Sequence, residues 1–211
     1  MARRRVALPG MQAAPRLDFF YELASPYACL SALRIREAAS AAGVSVRWRP
    51  FLLGPIFKAE GLAQTPMRVF PLRGAYMMRD VPRRARRYGF TLSVPPDFPR
   101  NPLHAARVAL VALAGGWGED FSRALYRAEF QEGRDIGQLE EVARVVEAMG
   151  RPVEHVLAAA RAPEARAALR AETEAAMAAG IFGAPSFLVD GELFWGDDRL
   201  EDALDWAAGR R

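Results

Sequence analysis

Two textures of apolar and polar positions alternate along this chain. Leu17-Asp18-Phe19-Phe20-Tyr21 is a short apolar, aromatic run suited to a buried strand. Ser25-Pro26 then signals a helix start, a hydroxyl N-cap followed by proline at the first helical position. Leu30, Leu33, Glu37, Ala38 and Ala41 continue at helical spacing, and Gly43 stops the helix. Val44-Ser45-Val46-Arg47-Trp48 alternates like a second strand, which Pro50 closes. The connections are short, so this opening unit reads as a strand–helix–strand crossover with parallel strands.

From Pro55 to Gly180 the texture changes to Ala- and Arg-rich sequence without strong strand candidates. The spacing predicts helices over 66–88, 102–114, 117–132, 138–149, 152–161 and 163–179, with Pro95-Pro96-Asp97-Phe98-Pro99 as a loop. The end changes back. Pro185–Val189 and Glu192–Trp195 flank Asp190-Gly191, a strong two-residue hairpin signal, and Asp198 opens an amphipathic C-terminal helix. With the helical block removed, βαβ plus ββα remains, the layout of a thioredoxin fold. The expected class is therefore α/β, a thioredoxin-like fold with a large all-helical insertion between its two halves. Residues 15–54 and 181–211 would form the thioredoxin-like domain and 55–180 the insertion. Residues 1–14 read as a disordered extension, with Met11 as an alternative start.

Composition adds limits. Half of the 211 residues are hydrophobic and a quarter charged, ample for one core without disulfide staples. The net charge is +4, and Arg supplies nearly all the positive charge, Lys58 being the only lysine. A basic chain can bind nucleic acid, but these charges are interleaved with Asp and Glu. The one dense block, Arg83-Arg84-Ala85-Arg86-Arg87, reads as a solvated helix face. A single cysteine, Cys29, excludes an intramolecular disulfide and a multi-cysteine metal site. It reads as a buried thiol, and the context as cytoplasmic. There is no stretch long enough for a signal peptide or membrane span. His104 and His155 fall on different predicted helices without ligand spacing, so no metal site is expected.

Three features carry chemistry. The N-terminus of the first helix in a thioredoxin fold favours an anion, because backbone N–H groups there lack partners. A disulfide oxidoreductase places Cys-x-x-Cys at this point, whereas this chain has Ser25-Pro26-Tyr27-Ala28, so dithiol exchange through the motif is impossible. A hydroxyl could instead donate to the sulfur of a bound thiol, and lowering a thiol pKa by about two units corresponds to about 2.7 kcal/mol. Ser25 is equally a plain N-cap. Second, Ala184-Pro185 stands directly before a strand, where thioredoxin folds carry a cis proline that exposes the preceding amide and carbonyl to a peptide ligand; an ordinary proline at a strand start is the other reading. Third, Asp197 and Asp198 follow the hairpin, as helix caps or as partners for a ligand ammonium.

Tyr21–Leu30 and Gly180–Leu200 resemble the opening and closing motifs of the 2-hydroxychromene-2-carboxylate isomerases and kappa-class glutathione transferases. Phe57-Lys58, Arg73–Met77 and Phe98–Leu103 resemble landmarks between them, and the resemblance spans about residues 16–208. It implies glutathione as cofactor and a small aromatic oxo-acid as substrate, isomerised by reversible thiolate addition and elimination. Ser25 would contact the sulfur, beside Pro26 and Tyr27, with Lys58 as a second catalytic residue. Ala184, before cis-Pro185, would pair with the cysteinyl backbone, and Asp198, helped by Asp197, would hold the γ-glutamyl end. Lys58 and Arg73 would face the glycyl carboxylate or the acidic substrate. Gln64 aligns loosely where relatives carry Asn, and Arg73 stands where kappa-class relatives carry Lys, which leaves ligand geometry open. Tyr76, Asn101 and Trp195 would line the substrate pocket. The resemblance further implies a homodimer, with no nucleic acid or membrane partner. Conjugation of glutathione and a non-catalytic thioredoxin-like binding module are the alternatives.

Overall fold

The computed structural model describes residues 14–210. Residues 1–13, with Met11 and nearly all of the expected extension, lie outside the described residues, as does Arg211. β1 (Arg16–Tyr21), α1 (Pro26–Ala32), α2 (Ile35–Ala42) and β2 (Ser45–Pro50) form the opening unit. α3 (Leu53–Ala59), α4 (Pro66–Val69), α5 (Pro71–Arg87), α6 (Leu103–Ala114), α7 (Gly118–Phe130), α8 (Leu139–Ala148), α9 (Val153–Arg161) and α10 (Pro163–Ala178) follow. β3 (Ser186–Val189), β4 (Glu192–Trp195), a 3-10 turn at Asp197–Arg199 and α11 (Leu200–Ala207) close the chain.

The four strands make one sheet in the order β2-β1-β3-β4. β1 runs parallel to β2, with Phe19 opposite Trp48, and antiparallel to β3, with Phe19 opposite Phe187. Leu17, Phe19, Phe20 and Tyr21 are all fully buried, so β1 is the central strand that its unbroken apolar run called for. The hairpin turns at Asp190 and Gly191, both with positive φ (51° and 88°), the backbone a two-residue turn demands. α11 packs on β1 and β3 and against α2, α6 and α10 pack on β2, and α1 sits against α5 and α7. One hydrophobic core runs without interruption from the sheet into the insertion helices.

Three elements differ from expectation. The first helix is two helices, broken at Leu33-Arg34, because Arg34 turns inward to stack 4.1 Å from the Tyr88 ring centre and to pair with Glu201. The predicted 66–88 helix is interrupted at Phe70, where Pro71 starts a new helix. α3 (Leu53–Ala59) lies in a stretch for which the sequence spacing predicts no helix; Pro55 falls in its first turn, where proline is tolerated.

Candidate functional site

α1 ends towards a cavity of about 1180 Å³, walled by α3, α4 and α5 on one side and by the hairpin on the other. That is somewhat larger than a small-molecule site usually is. Ser25 is the N-cap of α1: its Oγ accepts from the Ala28 amide (3.2 Å) and donates to the Ala184 carbonyl (2.9 Å). The Ala184-Pro185 bond is cis, as expected from its place before β3. The Ala184 amide has no hydrogen-bond acceptor among the described residues, so one open donor borders the cavity next to the carbonyl that Ser25 holds.

The opposite wall comes from the insertion. Tyr27 donates to Asp80 Oδ2 (3.0 Å) and Tyr76 to Asp80 Oδ1 (3.2 Å), so one carboxylate on α5 fixes both ring hydroxyls. Burial first, and then the neighbouring Asp80 carboxylate, push the Tyr27 phenol well above its ordinary value, so it remains a neutral donor. Trp195 lies edge-on to Phe182, 4.7 Å between ring centres, and directly over Gly183, where an added Cβ would stand 2.3 Å from the indole Nε1. A glycine is therefore required under that ring. Phe98-Pro99 is a second cis bond, and Pro99 and Asn101 complete the rim.

The two aspartates after the hairpin are in different circumstances. Asp197 is buried and accepts from Arg84 Nε (2.9 Å) and the Tyr88 hydroxyl (3.3 Å). Burial works against the Arg84 charge, yet the Asp197 carboxylate holds that guanidinium above its ordinary value. Arg84 is thus not part of a solvated face, as the sequence suggested; Arg83, Arg86 and Arg87 are. Asp198 is half exposed at the cavity edge, with only a loose contact to Arg199 (3.7 Å), so its carboxylate is available to a ligand while that of Asp197 is engaged.

Of the residues singled out in the sequence, Ser25, Pro26, Tyr27, Arg73, Tyr76, Asn101, Ala184, Pro185, Trp195, Asp197 and Asp198 border this one cavity. Lys58 and Gln64 do not; both are exposed, on α3 and in the loop after it. Asp80, Arg84 and Glu22, which also border the cavity, were not singled out. Cys29 is fully buried, and burial pushes its thiol well above its ordinary value. Among the described residues there is no cluster of three or more potential metal ligands and no helix long and apolar enough to cross a membrane.

The model of the DSBA-like thioredoxin domain matches residues 16–205. The chain belongs to that family. Among its curated relatives, 2-hydroxychromene-2-carboxylate isomerase of Sphingobium xenophagum is 28% identical over 88% of this chain and 94% of its own. Glutathione S-transferase kappa 1 of Rattus norvegicus is also 28% identical, over 90% of each chain. A solved 2-hydroxychromene-2-carboxylate isomerase superposes with a TM-score of 0.82 at 24% identity, covering 92% and 95% of the two chains. The cytosolic disulfide reductase DsbM of Pseudomonas aeruginosa, solved with GSH, shares the fold at a TM-score of 0.63 and 18% identity, covering 92% and 96%. The sequence relatives are isomerases and transferases, which places the chain among the enzymes of its family.

Proposed function

We propose that the chain is a glutathione-dependent isomerase acting on 2-hydroxychromene-2-carboxylate or a similar aromatic oxo-acid. The observation that carries the reading is the pairing of Ser25 with the residue before a cis proline, in place of a redox cysteine pair. Bound glutathione would supply a sulfur nucleophile able to add reversibly to an activated double bond and leave again.

The residues fit such a ligand. Ala184 offers an open amide beside its carbonyl, the donor and acceptor a peptide backbone needs for strand-like pairing. When a ligand N–H takes the Ala184 carbonyl, the Ser25 hydroxyl is released to turn towards the sulfur. Asp198 receives the ligand ammonium, with Asp197 holding the turn rather than the ligand. Arg73 serves the glycyl carboxylate or the acidic substrate, because the other bordering arginines, Arg84 and Arg100, are engaged by Asp197 and by Glu129 and Asp97. Tyr76, Asn101 and Trp195 enclose the aromatic substrate and exclude water. The protein is further read as a cytoplasmic homodimer.

Conjugation, in which glutathione is consumed, is the second reading, supported by the equal identity to a kappa-class transferase. The test is incubation with a chromene carboxylate while the isomer ratio and free glutathione are both followed. Isomer exchange that requires glutathione at constant concentration supports the isomerase; stoichiometric loss of glutathione supports the transferase. Turnover without glutathione contradicts both.

A further inference from the structure

The turn that carries Ser25 also carries a carboxyl that the scheme above does not use. Glu22 stands three residues before Ser25, and its carbonyl accepts from the Ser25 amide (2.9 Å) and from the Tyr126 hydroxyl (2.9 Å). Its side chain borders the cavity. Oε1 accepts one bond, from the Leu53 amide at the start of α3 (3.2 Å), and Oε2 has no partner among the described residues. No cation lies within ion-pair distance of this partly buried carboxyl among those residues. The titratable group that touches Glu22 is Tyr126 on α7, whose hydroxyl holds the Glu22 carbonyl and which itself has Tyr21 on β1 and Cys29 on α1 beside it, all of them uncharged. The carboxylate of Glu172 on α10 acts on Tyr21. Burial pushes the Glu22 carboxyl up to about 7, against the Leu53 hydrogen bond.

A carboxylate and a thiolate bordering one cavity would repel each other, which favours a single proton held between the two groups. We propose that Glu22 is the proton acceptor for the bound thiol, an inference that rests on the glutathione reading. The S–H bond breaks, its electron pair stays on sulfur, and the proton forms an O–H bond at Glu22 Oε2. When the thiol is released the same proton returns to it. The Glu22–sulfur pair carries one negative charge throughout, first on Glu22 and then on sulfur, and solvent need not take up the proton. Glu22 acts here as a positioned proton store and is not assigned a contact with substrate.

The test counts protons. Glutathione is titrated calorimetrically at pH 8 in buffers of different ionisation enthalpy, into wild type and Glu22→Gln, with thiolate absorbance read in parallel. Gln keeps an acceptor for the Leu53 amide and removes the titration. Wild type should release close to no protons per bound thiolate, and the variant about one. S-methylglutathione, which has no thiol proton, should abolish the difference. In the wild type alone, infrared difference spectra on adding glutathione should gain a protonated-carboxyl band. Equal proton release in both proteins with thiolate present in each, or no such band, overturns the proposal and leaves the glutathione reading intact. No bound thiolate in either protein overturns that reading, and this proposal with it.

Discussion

The Ser25 hydroxyl donates to the carbonyl of Ala184, 159 residues away in the chain, at 2.9 Å. The bond joins the two halves of the thioredoxin fold across the helical insertion, at the point where a redox member of the family would carry its reactive sulfur. The same carbonyl is the natural acceptor for a peptide N–H, so under the proposed function ligand binding and reorientation of the Ser25 hydroxyl would be one event. The N-cap bond from Ala28 survives it, because Oγ can accept from that amide whichever way its own hydrogen turns.

The two acidic and basic candidates at the edges of the site should separate cleanly. Asp198→Ala should weaken glutathione binding by roughly ten- to a hundredfold, the loss of one charge-assisted partner. Lys58→Ala should leave it unchanged, since Lys58 is exposed and does not line the cavity. Calorimetric titration of both variants checks this. Equal losses would mean that α3 rearranges on binding.

Gly183→Ala should displace Trp195, because its Cβ would overlap the indole nitrogen. The expected result is a shifted tryptophan emission, a stability loss of roughly 1–3 kcal/mol and weaker ligand binding. Unaltered emission would show that the ring is not seated as described.

Glu22 sets a pH dependence on stability. Its folded-state value, about 7, lies above its ordinary 4.5, so folding favours the protonated form. Stability from this group is full below pH 4.5 and is lost as pH rises through 7. Glu22→Gln should therefore stabilise the protein at pH 8 by up to roughly 3 kcal/mol, with the gain vanishing near pH 4. Denaturant midpoints at the two values decide it, and a pH-independent difference would contradict the assignment.

Much of this architecture was legible because its signals are local. A five-residue apolar run, a Ser-Pro start, an Asp-Gly turn and a proline before a strand each report on a few neighbouring residues, and together they marked both halves of the fold and the Ser25–Ala184 side of the cavity, while Arg73, Tyr76 and Asn101 were reached through the family resemblance. What escaped depended on distant partners. Arg34 breaks the first helix because Tyr88 and Glu201 await it, and Arg84 leaves its basic neighbours because Asp197 is buried opposite. Asp80 gains its role from Tyr27, 53 residues away. Glu22 had a signal that was passed over, an acid set between the apolar strand and Ser25-Pro26. Lys58 drew attention by rarity and by resemblance, and it stands exposed on α3 without lining the cavity.

Dithiol exchange should be absent. Ser25 and Ala28 occupy the positions of the cysteine pair, and the one thiol, Cys29, is enclosed and held protonated. Insulin reduction in the presence of dithiothreitol should match the protein-free rate. An enhancement abolished by Cys29→Ala would contradict this.

The central claim is that the Ser25 hydroxyl stabilises a bound thiolate, and ultraviolet thiolate absorbance against pH, on protein saturated with glutathione, tests it most directly. Wild type should ionise the bound thiol at lower pH than Ser25→Ala, and the variant should react more slowly at neutral pH, with the deficit shrinking as pH rises. The variant should remain folded, since losing an N-cap costs about 1 kcal/mol. Superimposable titration curves with normal activity would reduce Ser25 to a helix cap and contradict the account.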